Sequence, residues 1–294
     1  MPTEPVAVPA APYPFALTSA TTALVIIDMQ RDFLQTGGFG AMLGNDVSML
    51  TRVVEPLAAV LDAARAAGLM VIHTREGHRP DLSDCPPSKL ARGHLDTPIG
   101  AEGPNGRVLV RGERGHDIVD ELAPMPGEVV LDKPGKGAFY ATDLELLLRN
   151  RGITSLVVTG VTTEVCVHTT VREANDRGFE CLVLADCVGS YFPEFHEVGL
   201  RMIAAQGGIF GWVAPSTALL EQFAVTTTTN GAHRCRTPSP CPPEQSAARR
   251  GCRCGPGATS TPSSASASTC WSTCSCWRAS PRAWSTSPPT TSTG

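Results

Sequence analysis

Beyond Val225 the sequence has no Leu, Ile, Val, Met, Phe or Tyr. Those 69 residues hold 26 Ser or Thr, nine Pro, seven Arg, one acidic residue and no Lys. Such a segment has too few apolar side chains to offset the entropy of ordering a chain, roughly 1–2 kcal/mol per residue for the backbone alone. Residues 226–294 are therefore expected to be a disordered, low-complexity tail, with the composition of a GC-rich gene read out of frame. Seven of the 11 cysteines fall there, without the paired spacing of a zinc ribbon or finger. That leaves residues 1–20 as an N-terminal extension and 21–225 as one domain large enough to bury a core.

Other absences narrow the function. No apolar run approaches the ~20 residues that span a bilayer, so no membrane partner is expected. Met1 to Ala20 has five Pro, no basic residue and no apolar centre. This argues against a secretory signal and makes the cytoplasm the expected compartment. The tail's seven Arg and one Glu give it +6, which leaves −10 on residues 1–225. An acidic domain speaks against a nucleic-acid partner. No GxGxxG follows the first apolar run and no HExxH is present, so neither a nucleotide nor a zinc site is expected. No cofactor is implied.

What is present alternates. Thr22 to Asp28 (TALVIID), Leu69 to Thr74 (LMVIHT), Val129 to Asp132, Ser155 to Thr159 and Glu180 to Ala185 are short apolar runs of the kind buried on both faces of a sheet. Short strands are also expected at Val108–Arg111 and Ile209–Val213. Helical spacing occupies Val47–Ala67, Asp143–Arg149, Thr163–Arg177 and Glu194–Ala205, with Gly68 and Gly178 as stops. Strands alternating with helices predict a three-layer α/β/α fold around a mainly parallel, roughly six-stranded sheet. Residues 75–107 form a long polar excursion of the kind that is often functional.

Ligands of such sheets bind beyond the carboxyl ends of the strands. The residues there are Asp28, Arg75, Lys133, Thr162 to Cys166, and Asp186-Cys187. Cys166 falls in the first turn of a helix, where unpaired N–H groups favour a thiolate. A carboxylate near pKa 4 is a poor base for a thiol near 8.5. Burial of Asp28 or the charge of Lys133 must close that gap. His168 is two positions from Cys166 and faces away on a helix, which makes it a poor base. Cys187 follows a strand and ranks below Cys166 as nucleophile.

The runs IIDMQRDF, DKPGKGAF and TGVTTEVCVHTTVREANDRGFE resemble the isochorismatase-like cysteine hydrolases over about residues 20–215. The resemblance implies a catalytic triad of Asp28, Lys133 and Cys166. It also implies a cis Val161–Thr162 peptide and an oxyanion hole from the Thr162 and Cys166 amides. Within the family the sequence is most similar to biuret hydrolases, with ureidoacrylate amidohydrolases as near neighbours. By that resemblance Gln206 would bind the substrate's ureide group, and Lys136, Arg75 and Glu76 would line the pocket or pin the long loop. The implied reaction is hydrolysis of a small linear amide through a thioester, with biuret first and ureidoacrylate, triuret or N-carbamoylsarcosine as alternatives, ahead of a catalytically silent binding module on the same fold. A homodimer or homotetramer is implied, and no metal.

Overall fold

The computed structural model describes residues 5–91 and 98–232. In chain order the strands are β1 Val6–Val8, β2 Phe15–Leu17, β3 Thr22–Ile27, β4 Met70–Glu76, β5 Glu102–Gly103, β6 Gly106–Arg107, β7 Val129–Lys133, β8 Ser155–Val161, β9 Glu180–Gly189 and β10 Trp212–Ala214. The helices longer than about one turn are α1 Val54–Ala66, α2 Leu144–Asn150, α3 His168–Asp176, α4 Pro193–Gly208 and α5 Ser216–Ala232.

Six strands form one parallel sheet in the order β10-β9-β8-β3-β4-β7. All six residues of β3 are buried, because both faces of the sheet are covered. Ala23, Val25 and Ile27 point to one side and pack with Leu144 and Leu148 of α2, Val171 and Ala174 of α3 and Ile203 of α4. Leu24 and Ile26 point to the other side, against Leu57, Val60, Leu61 and Ala64 of α1 and Leu219 and Phe223 of α5. The buried positions of α1 fall at helical spacing, one stripe to the core. Its end follows from Gly68, whose φ of +69° is the left-handed geometry that closes a helix.

The sheet topology decides where the site lies. From β3 the chain proceeds to β4 and β7 on one side, then returns to β8, β9 and β10 on the other. The switch point is between β3 and β8, and their carboxyl ends carry Asp28 and the turn to Cys166. Gly160 sits there with φ +99°, and any Cβ would run into the backbone of Ile27. The two strands can approach only because residue 160 has no side chain.

Several sequence expectations are corrected. The extension 1–20 contains a hairpin, β1 against β2, whose Val8, Phe15 and Leu17 belong to the core. Its Ala11 exchanges backbone hydrogen bonds with Val213 and covers the edge of β10. Three-residue strands are too short for periodicity to reveal. Val108 to Val110 is a buried loop segment rather than a strand, with one bridge from Val110 to His78. β9 continues to Gly189, so Asp186 and Cys187 lie within it. The helix over 47–67 is broken into the turn Ser48–Thr51 and α1. The segment after Thr162 opens with a wide π turn, Thr163–Val167, before α3 begins. Helix α5 was not foreseen, and it runs past the expected boundary at 225 to Ala232. The remaining tail reading, 233–294, lies outside the described residues. No helix among the described residues is long and apolar enough to cross a membrane.

Candidate active site

Asp28 follows β3 in a left-handed conformation, φ +52°, and is wholly buried. Aspartate tolerates that region better than most residues. Its backbone N–H donates to Thr74 O at 3.1 Å, and Thr74 Oγ1 donates to Asp28 Oδ1 at 2.8 Å. Oδ2 lies 2.7 Å from Lys133 Nζ in an ion pair without aligned hydrogen-bond geometry. One lone pair of Oδ2 therefore remains open to a proton from elsewhere in the site.

Lys133 is the last residue of β7 and is also wholly buried. Its ammonium donates to the carbonyls of Gly135 and Lys136, each at 3.0 Å, so its contacts match its three hydrogens. Burial opposes its charge, but the negative charge around it, that of Asp28 first, outweighs burial and raises its pKa.

Cys166 stands in the π turn and is 4% exposed. Thr170 Oγ1 donates to Cys166 O at 2.7 Å and accepts from Ala138 N at 3.0 Å, which ties the turn of Cys166 to the loop after Lys133. Burial pushes the thiol's pKa well above its ordinary value. Lys133 and Lys136 pull it down, and Asp28 and Glu76 push it further up. The helix-start reading favoured a thiolate; in the folded site burial and two carboxylates outweigh that field. Its hydrogen bond to Glu76 is accordingly that of a thiol.

Glu76 completes the cluster from the end of β4. Oxygens of Asp28 and Glu76 and the sulfur of Cys166 lie within 4.8 Å of one another. The sulfur donates to Glu76 Oε2 at 3.6 Å. Burial alone would raise the Glu76 carboxyl, but the ammoniums of Lys133, Lys136 and Lys89 more than offset it and take it down to about 2. Three ammoniums thus face two carboxylates. The excess positive charge suits an anion formed during attack.

The cluster opens on a cavity of about 190 Å³ whose walls include Phe33, Phe39, Tyr191 and Phe192 as well as Glu76, Lys136, Thr162, Glu164 and Cys166. The Val161–Thr162 peptide is cis. Thr162 itself lines the cavity.

The structure brings Asp28, Lys133, Cys166, Thr162, Glu76 and Lys136 together. It does not bring Arg75 or Gln206 there. Arg75 points to the opposite side of β4 from Glu76 and is held by Asp132 at 2.8 Å and Asp117 at 2.9 Å. Gln206 is exposed, with φ +53° in the kink that ends α4. Cys187 and Cys181 are fully buried in β9, with burial as the main cause that pushes each thiol up to about 12. His168 accepts from Arg172 Nε at 2.9 Å, away from the sulfur. Two residues of the site were not foreseen. Gln30, in the DMQ run, holds Glu76 by both its backbone groups. Lys89 reaches in from the single turn Pro87–Leu90. The aromatic walls carried no sequence signal, since Phe33, Phe39, Tyr191 and Phe192 meet only in three dimensions.

Comparison with known proteins agrees with this fold. The isochorismatase domain matches residues 22–215. A ureidoacrylate amidohydrolase RutB of Methylorubrum extorquens is 38% identical over 218 residues, 72% of this chain and 87% of that protein. The protein of that name from Stutzerimonas stutzeri is 35% identical over 226 residues, 75% of this chain and 90% of its own length. A cysteine hydrolase structure from Pseudomonas syringae pv. phaseolicola superposes with a TM-score of 0.61 at 26% identity, covering 71% of this chain and 95% of that one. The N-carbamoylsarcosine amidase of Thermoplasma acidophilum superposes with a TM-score of 0.51 at 25% identity, covering 67% and 96%. With the domain match spanning the whole sheet and these identities over most of each relative's length, the chain belongs to the isochorismatase family of cysteine hydrolases.

Proposed function

We propose that this hydrolase of linear-amide C–N bonds cleaves biuret to allophanate and ammonia through a thioester on Cys166. The observation that carries the reading is the buried Asp28–Lys133 pair gathered with Cys166, which itself lines one small cavity. Asp28 Oδ2 takes the thiol proton as sulfur attacks the carbonyl, while Lys133 steadies both anions. The Thr162 and Cys166 amides receive the oxyanion. Asp28 returns the proton to the departing ammonia, and water then hydrolyses the thioester. Covalent catalysis of this kind divides one difficult step into two easier ones.

The charges support a neutral substrate. A carboxylate on the substrate needs a cation of its own. Among the described residues lining the cavity the basic one is Lys136, already paired with Glu76 at 2.7 Å, and Glu164 adds a negative group. Arg75, which would have served a carboxylate, is engaged elsewhere. The second reading, a ureidoacrylate substrate, is favoured by the names of the relatives at 35–38% identity. An assembly of two or four copies belongs to the same proposal.

The test is ammonia release by the purified protein from biuret, ureidoacrylate, triuret, N-carbamoylsarcosine and nicotinamide. Biuret is expected to give the highest kcat/KM. A higher value for ureidoacrylate would replace the first reading by the second. Cys166→Ser is expected to lose turnover with the fold intact, and retention of most activity would remove the thioester.

A further inference from the structure

The hydrogen bond of the Cys166 thiol goes to a carboxylate outside the Asp–Lys–Cys set. Sγ donates to Glu76 Oε2 at 3.6 Å, a reach that sulfur's size permits. No such bond joins the thiol to Asp28, whose Oδ1 accepts from Thr74 and whose Oδ2 faces Lys133. Glu76 is held in this position from every side. Its N–H donates to Gln30 Oε1 at 2.7 Å, and its carbonyl accepts from Gln30 Nε2 at 2.9 Å. Oε1 accepts from Lys89 at 2.9 Å and Lys136 at 2.7 Å, and Oε2 accepts from Lys136 at 3.0 Å. Lys89 also donates to Pro134 O at 2.9 Å and to His78 Nε2 at 3.0 Å. His78 must then carry its hydrogen on Nδ1, where Asp84 Oδ1 accepts at 3.2 Å, and Arg111 Nη2 donates to Asp84 Oδ2 at 3.1 Å. An unbroken chain of contacts runs from Arg111 to the nucleophile.

A fully buried carboxylate is costly unless paired, and this one is paired with more cations than its charge requires. A strand end could be pinned by Gln30 alone. The cage instead fixes a charged acceptor on the sulfur. We propose that Glu76 is a second catalytic carboxylate, a latch that holds Cys166 as a thiol until a substrate N–H takes the thiol's place on Oε2. The proposal rests on the amidohydrolase reading above. An N–H next to the attacked carbonyl donates to Glu76 Oε2. The S–H then turns to Asp28 Oδ2, which takes the proton as sulfur bonds to carbon. No bond forms or breaks at Glu76. The substrates that release the latch are amides and ureides bearing such an N–H.

The charges facing the sulfur come from Asp28 beyond β3, Glu76 on β4, Lys133 on β7 and Lys136 in the loop after it. On its own element the nearest titratable residues are Glu164 and His168. Removing the negative charge of Glu76 leaves the two lysines less opposed and makes the thiolate easier to form.

The test is the pH dependence of Cys166 alkylation by iodoacetamide, followed by peptide mapping, in the unsubstituted protein and in Glu76→Gln. The substitution is expected to move the midpoint down by at least about one pH unit, a tenfold gain in thiolate below it. A midpoint that stays or rises overturns the latch. The infrared S–H band of Cys166, identified by its loss in Cys166→Ala, gives a second measurement should Glu76→Gln fail to fold. The band is expected to be unmoved by Asp28→Asn, and a shift there overturns the assignment. Neither measurement needs turnover. A protein that shows the alkylation shift but releases ammonia from no amide loses the functional reading and keeps the latch on the thiol. One that hydrolyses biuret without the shift loses the latch alone.

Discussion

Lys133 Nζ lies 2.7 Å from Asp28 Oδ2, with neither side chain reached by solvent. Removing one partner of such a pair leaves the other charge buried. That typically costs about 3–5 kcal/mol, more than the pair itself contributes. Asp28→Asn is therefore expected to lower stability by several kcal/mol. It also removes the proposed proton acceptor, a role typically worth about 10²–10⁴-fold in rate. Urea denaturation and ammonia release measure the two effects. Turnover within threefold of the unsubstituted protein would take Asp28 out of the mechanism.

The contact of β3 with β8 at Gly160 predicts a second outcome. Gly160→Ala has to place a Cβ where the Ile27 backbone is, at a φ of +99° that alanine rarely adopts. Backbone strain of this type costs of order 1–3 kcal/mol before any clash. The substitution is expected to lower the melting temperature and to reduce kcat more than its distance from the sulfur implies, because both strand ends carry the site. An unchanged melting temperature would mean that the two strands can separate freely there.

Glu128, just before β7, gives a pH prediction. It accepts from Arg65 Nε at 2.7 Å and contacts His73 Nε2 at 3.1 Å. Burial raises its carboxyl, but the hydrogen bonds from Arg65, Met125 and His73 outweigh burial and lower it from 4.5 to about 2. A depressed carboxyl stabilises the fold above its unfolded pKa and loses that contribution as pH falls through the folded one. The contribution, about 2 kcal/mol after allowance for partial exposure, should be whole above pH 4.5 and fade toward pH 2. Glu128→Gln is expected to destabilise the protein at pH 7 and to make little difference near pH 2. An equal cost at both pH values would show that the charge is not what stabilises.

Helix α5 separates two truncations that composition treats as one. Removing 233–294 is expected to leave the melting temperature and turnover unchanged. Removal from Ser216 onward also strips Leu219, 1% exposed, and Phe223, 8% exposed, from the core. It also takes away the Ser216 groups that donate to both Asp186 oxygens, at 2.7 and 2.6 Å. Burying a Leu or Phe side chain is worth about 1.5–3 kcal/mol each, so the longer deletion should lower stability by several kcal/mol. Equal melting temperatures for the two would mean that α5 adds nothing to the domain.

The sequence by itself determined the alternation of strands and helices, because an apolar run bounded by polar residues has few ways to be buried. It also placed Asp28, Lys133 and Cys166 at strand or helix boundaries, and parallel strands bring such boundaries to one edge. The tertiary structure alone decided which neighbours count. Arg75 and Glu76 are adjacent in sequence, and successive residues of a strand point to opposite faces. Glu76 therefore meets the sulfur while Arg75 leaves for Asp132. Gln206 ended up exposed because α4 kinks before it. Lys89, from a turn in the long excursion, supplies one of the three cations on Glu76. The charge state of Cys166 also had to wait for the fold. A helix start favours a thiolate, but burial beside two carboxylates sets the balance the other way, and burial is a property of the packed chain.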